Sequence, residues 1–293
     1  MKVLGVIVLY NEHNESVINH LISVAKQVDS LFIVDNSSDS HEELYNHISN
    51  VIYNPLYDNY GIAAAQNIAI EYAIKEKFKF IFFSDPDSNV QPGSVVKMKK
   101  TYDELLNNNI LVGGIGSYAY NQDTGLPYSL ENSFICDYDF NLIETTYLRN
   151  SVSLIPVSHF ISCGGMDRSF FIDDVDSEWC WRVSLIVGAR FFIDKRVTIQ
   201  HRLGRANHKI LGTYYSICSP KRLYYEYRNF IWLYRRQYVP KKWINLNIIK
   251  YVLKFFYYPL LVSPRMSNLK WILKGIKDGM KNNEPDIKLI MND

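Results

Sequence analysis

Two carboxylates two positions apart, Asp85 and Asp87, close the run FFSDPDS at residues 82–88. Both offer hard oxygen ligands, and residues i and i+2 of an extended chain face the same side. Pro86 between them fixes its own φ and stiffens the turn. Such a pair suits Mg2+ or Mn2+, ions often shared with substrate phosphates. Asp-Pro-Asp is also turn-prone by itself, so a plain solvated turn is the competing reading. A second knot of acids, Asp173, Asp174, Asp176 and Glu178, falls within FFIDDVDSEW at 170–179. Like charges this close repel unless a cation or a raised pKa relieves them. A carboxylate with a raised pKa is what general-base work near neutral pH requires. A helix dipole accounts for one or two acids at an N-terminus, and less readily for four. His201 ends an apolar run; a lone histidine there is more often structural than a ligand.

Strands and helices must deliver these groups to one place. Short apolar runs at 3–10, 31–38, 51–54, 78–85 and 110–117 read as strands. Between them, 14–28, 61–77 and 92–108 carry apolar residues at helical spacing, with polar or Pro starters. Alternation of this kind predicts parallel strands joined by crossover helices, a doubly wound α/β layer. Ligands bind such sheets beyond the carboxyl ends of the strands. Three strands here end in polar groups: Tyr10-Asn11, Asp35-Asn36 and Asp85-Pro86-Asp87. Further on, 151–160 reads as a strand or strand pair, 124–133 as a loop, 163–193 as a Gly turn and acidic knot leading into a helix, and 197–204 as a strand.

The chain has 293 residues, 47% of them hydrophobic, enough for a substantial core and too many for a disordered chain. Its four cysteines lack metal-type spacing and fit a reducing compartment. The N-terminus reads as a first strand rather than a signal peptide, and no stretch reaches the roughly 18 apolar residues of a spanning helix. The net charge of +2 is unevenly spread: residues 221–281 hold 14 Lys/Arg against Glu226 and Asp278, a local +12. That segment mixes cations with aromatic rings, a polyanion or membrane-surface signal, with a solvated helical face as the plainer reading. The expected division is a domain over 1–220, in halves of about 1–120 and 121–220, followed by a basic helical segment over 221–293.

In order, Tyr10-Asn11, DNSS at 35–38, NYGIAAAQNIAI at 59–70, FFSDPDS, GGMDRSFFIDDVDSEWCWR at 164–182 and HRLG at 201–204 resemble the family 2 inverting glycosyltransferases. More narrowly, they are similar to bacterial rhamnosyltransferases and galactofuranosyltransferases of polysaccharide assembly. The resemblance implies a GT-A (Rossmann-like) fold, with a mostly parallel central sheet flanked by helices and a basic C-terminal helical segment. It places the donor nucleotide on Tyr10, Asn11, Asp35, Asn36, Asn59, Gly61, Asn67 and Asp85. It places a Mg2+ or Mn2+ ion on Asp87 with Asp85 and His201, and the catalytic base at Asp176. The acceptor side falls to Gly164, Gly165, Asp174, Glu178 and Trp179, although Trp179 reads equally well as core packing. Two departures stand out. Pro86 occupies a position more often polar, and Asp174 stands where an aromatic is commoner and so competes with Asp176 for the base role.

The implied reaction transfers a sugar from a dTDP or UDP donor, dTDP-rhamnose first, to a hydroxyl of a growing, lipid-linked bacterial surface glycan. A UDP-galactofuranose or other UDP-hexose donor comes next, and a non-catalytic sugar-nucleotide or glycan-binding protein is the alternative of another class. A dinucleotide oxidoreductase is rejected, because LYNEHNES stands where a GxGxxG would follow the first strand. A nucleotidyltransferase would need a Gly-rich basic phosphate loop, which is missing. No nucleic-acid module is present. The expected location is cytoplasmic, peripheral on the inner face of a bacterial plasma membrane through 221–281. The same helices could instead join copies of the chain.

Overall fold

The computed structural model describes residues 1–121, 125–127, 136–137, 139, 141–201, 207–210 and 213–281. Along the first part of the chain run β1 (Val3–Leu9), α1 (Glu15–Ala25), β2 (Ser30–Asp35), β3 (Val51–Pro55), α2 (Ile62–Lys75), β4 (Phe80–Ser84), α3 (Ser94–Asn107) and β5 (Val112–Asn121). Next come β6 (Cys136–Asp137), β7 (Leu142–Thr145), β8 (Val152–Pro156), α4 (Val157–Cys163), α5 (Val175–Val187) and β9 (Arg190–His201). A hairpin of β10 (Asn207–Ile210) and β11 (Thr213–Ser216) precedes α6 (Pro220–Arg235), α7 (Lys241–Leu261) and α8 (Arg265–Met280).

Nine strands form one sheet in the order β3-β2-β1-β4-β8-β5-β9-β7-β6. The half built from β3, β2, β1 and β4 is parallel throughout. Beyond β4 the sheet is mixed, because β8 enters antiparallel between β4 and β5. Parallel pairing thus runs through β3-β2-β1-β4 and recurs between β5 and β9. A strand that arrives from a loop at the sheet's carboxyl edge needs no crossover helix and runs back the other way. The stretch 151–160 is accordingly one strand and the start of a helix, α4, rather than a strand pair.

The register sets the site. Leu9 lies beside Asp35, and Asp35 beside Pro55, so the residues after β1 and β2 emerge along one edge. Ser84 pairs with Val152, which brings the residues before β8 to the turn after β4. All five residues of β4, FIFFS, are buried, as a central strand covered on both faces requires. Phe80 and Phe82 share one core cluster with Ile7, Leu21, Ile33 and Met98.

The chain divides into two compact units. Among the described residues, the first comprises 1–171 and 175–201, with the sheet and its helices; the second comprises 172–174, 207–210 and 213–281. In the second unit, Ser219 caps α6 by accepting from Arg222 N, and Pro220 occupies the first turn, where its missing N–H costs nothing. Leu223, Tyr227, Tyr251, Tyr258 and Ile272 form its core. Gly275 lets α8 approach α6 closely: a Cβ there would lie 2.5 Å from the Tyr224 carbonyl oxygen.

Candidate active site

β4 ends at Ser84, and the turn 85–88 carries both aspartates. Asp85 N–H donates to the Ser151 carbonyl (3.2 Å), and Ser88 N–H closes the turn on the Asp85 carbonyl (3.1 Å). Asp87 is exposed, while Asp85 is partly covered. Burial pushes the Asp85 carboxyl up to about 7, with the charges of Asp87 and Asp176 adding and Arg149 opposing. Beneath the turn, His20 of α1 contacts Ser84 Oγ (3.0 Å). Burial holds this imidazole down to about 4 despite the attraction of Asp87, so it is neutral at physiological pH.

Asp176 stands in the first turn of α5. Its carboxylate accepts from Ser177 N–H (2.9 Å) and from Asn150 N–H (3.2 Å). Burial still raises its pKa, and those hydrogen bonds and Arg149 offset only part of the rise. Asn150 is fastened in turn to Gln66 of α2 (3.4 Å). Asp85, Asp87, Asp176 and Arg149 are thus close enough for Asp85 to sense the other three. Arg149, Asn150, Gln66 and His20 are absent from the residues expected above. The stretch YLRNS at 147–151 carries the one visible hint, a cation and an amide ahead of an apolar strand.

On the β1–β2 side, Tyr10 and Asn11 are exposed, and Asn11 adopts a left-handed conformation (φ 53°). Asn36 ties the loop before α2 together, donating to the Gly61 carbonyl (3.2 Å) and accepting from Tyr60 N–H (3.1 Å). Asn59 accepts from Gly61 N–H (3.0 Å). Gly61 needs to be glycine: its φ is 85°, and a Cβ would lie 2.6 Å from Phe171. Asp35 is fully buried and accepts from Tyr53 OH (2.6 Å) and Ser37 N–H (3.1 Å). His41 Nδ1 lies 3.3 Å from it and His13 Nε2 3.9 Å. The ligand atoms of His13, Asp35 and His41 all fall within 4.8 Å of one another. The two imidazoles stack face to face, 3.6 Å between centroids at 18°.

Several residues expected at the acceptor or donor side are structural struts. Asn67 exchanges two hydrogen bonds with the Met166 backbone (2.8 and 2.7 Å), and Gly165 leaves room for it, since a Cβ would lie 2.5 Å from Asn67 Oδ1. Trp179 is fully buried, stacks on Phe160 at 4.4 Å and donates to the Gly164 carbonyl (3.1 Å). Glu178 and Arg182 are both wholly buried and form a bidentate pair (2.9 and 3.0 Å), and Arg182 also donates to the Cys163 and Gly165 carbonyls. Glu178 and Trp179 thus form the wall behind Asp176 and offer no surface to an acceptor. Removing one partner of such a pair costs about 3–5 kcal/mol. Asp174 belongs to the second unit together with Asp173, whose carboxylate is paired with Arg222 (2.6 Å). β9 ends at His201, in register with Asn121, and the His201 side chain lies outside the described residues.

The fold is that of GT-A glycosyltransferases. The chain superposes on a crystal structure of GalNAc-T7 with UDP, GalNAc and Mn2+ with a TM-score of 0.56 at 13% identity, covering 97% of this chain and 58% of that one. TarS of S. aureus gives the same score and identity over 99% and 50%. At these identities the likeness is one of fold, and the chain spans only about half the length of those two proteins. The family model for Glycosyl transferase family 2 matches residues 6–173, more than half of the chain, and the chain belongs to that family. A curated relative, the dTDP-rhamnosyl transferase RfbF of Shigella flexneri, is 28% identical over 290 residues, 94% of this chain and 93% of that protein.

Proposed function

We propose that the chain is an inverting glycosyltransferase that moves L-rhamnose from dTDP-rhamnose to a hydroxyl of a growing bacterial surface glycan on a lipid carrier. The observation that carries the proposal is the junction at the carboxyl edge of the sheet, where the segment before β8 bonds both the turn of Asp85 and Asp87, through the Ser151 carbonyl, and the Asp176 carboxylate, through Asn150 N–H. The similarity to RfbF over nearly the whole chain supports the donor. A sugar hydroxyl is a poor nucleophile until its proton leaves. Asp176, held by two backbone N–H groups, accepts that proton on a carboxylate oxygen as attack develops, and direct displacement inverts the anomeric carbon. Arg149 supplies a cation for the donor diphosphate. Tyr10 and Asn11, exposed after β1, receive the nucleoside, with Asn36, Asn59 and Gly61 shaping the loop beside it.

Asp87 and Asp85 fit a divalent cation: both are oxygen donors, and their mutual repulsion is what such an ion relieves. When bound, Mg2+ or Mn2+ neutralises charge on the departing nucleoside diphosphate. The test is thermal unfolding of the chain against a panel of sugar nucleotides, with and without Mn2+. Ligand binding raises the midpoint by mass action. The expected result is the largest shift with dTDP-rhamnose and a smaller one when Mn2+ is left out or Asp87→Ala is introduced. A larger shift with UDP-galactofuranose would reassign the donor. No shift with any nucleotide sugar would overturn the proposal.

A further inference from the structure

α7 has two apolar sides. Trp243, Asn247, Tyr251 and Tyr258 form the buried one. On the other, Ile249, Val252, Leu253, Phe256 and Leu260 follow helical spacing and stand in water, each more than half exposed. Phe256 alone is 59% exposed and Leu253 64%. An exposed apolar stripe of this kind marks a binding surface. α8 repeats the theme at a spacing of seven: Met266, Leu273 and Met280 are exposed, and the exposed Lys270, Lys274 and Lys277 lie among them. Lys274 rests against the Trp271 ring at 5.0 Å, with its stem over apolar surface.

Charge decides between occupants. From residue 227 to 277 the chain contains 11 Lys/Arg and no Asp or Glu. A second copy presenting the same face would set lysines against lysines. An anionic lipid surface offers both things the face lacks, hydrocarbon for the stripe and negative headgroups for the lysines. The helix does not cross: no described helix is long and apolar enough to span a membrane, and α7 carries Lys250, Lys254 and Pro259.

We infer that α7 and α8 are a bilayer-docking surface, with the α7 stripe lying in the plane of the interface and the α8 lysines holding anionic headgroups. This inference is independent of the transferase reading and is tested without activity. The full chain is co-sedimented with vesicles of phosphatidylcholine alone and with vesicles enriched in phosphatidylglycerol. The expected result is binding roughly 100-fold tighter to the anionic vesicles, weakening as salt rises. Lys270→Glu with Lys277→Glu abolishes that preference, and Leu253→Asp with Phe256→Asp lowers binding about tenfold while thermal unfolding stays unchanged. Three results would overturn the inference. One is wild-type binding that is equal for the two vesicles or absent from both. Another is full retention of binding by both variants. The third is a wild-type dimer that Leu253→Asp with Phe256→Asp converts to monomers, which would assign the stripe to a second copy.

Discussion

Asp85 and Asp176 hold their protons more tightly than a carboxylate in water, for the same first reason: both are withdrawn from solvent at the sheet edge. Arg149 works against that rise at both. A base must be ionised to act, so activity is lost as pH falls through its raised pKa. The acid limb of kcat/KM is therefore expected above the ordinary carboxylate range. Arg149→Ala should move that limb to higher pH and lower kcat/KM about tenfold at neutral pH, ~1.4 kcal/mol, the scale of one charged contact. Arg149→Lys should restore most of both. A pH–rate profile identical in wild type and Arg149→Ala would remove Arg149 from the site. The acids were legible in the sequence because their spacing violates charge repulsion without an evident counterion. Arg149 and His20 were not: each matters through a partner more than 60 positions away, Asp85 or Ser84, and no local pattern announces that.

At the scale of elements, periodicity was the reliable guide. The alternating first 110 residues read correctly as strands and helices, because each strand is a short apolar run and each helix carries an apolar stripe. What escaped was the direction of β8, whose stretch reads as a strand. A strand that runs against its neighbours has the same composition as one that runs with them, and only the register Ser84↔Val152 reveals that it delivers Arg149 and Asn150 to Asp85 and Asp176. The glycines tell a similar story. The resemblance places Gly165 on the acceptor side; in the structure it makes room for Asn67. Gly275 drew no notice, yet α8 can approach the α6 backbone only without a side chain there. Gly275→Leu should therefore push α8 away and destabilise the chain by about 1–3 kcal/mol, read as a lower unfolding midpoint. An unchanged midpoint would show that the helix contact yields freely.

Across the whole chain, the acids and the cations are segregated. Residues 221–281 carry +12, leaving about −10 on the remainder, while the total is only +2. The excess acids include the pairs proposed to receive an ion and a proton, and the excess cations lie in the helices proposed to meet a lipid surface. The central claim remains Asp176 as the base of an inverting transfer, and Asp176→Asn tests it most directly, because the swap keeps the side chain's size and removes the proton acceptor, at the loss of one of the two backbone N–H contacts. Turnover of dTDP-rhamnose and its Kd should be measured on the same preparations. The account predicts a kcat lower by roughly 10²–10⁴-fold with Kd within a few-fold of wild type. A variant that turns over at the wild-type rate, or one that loses turnover only as far as it loses donor binding, would contradict it.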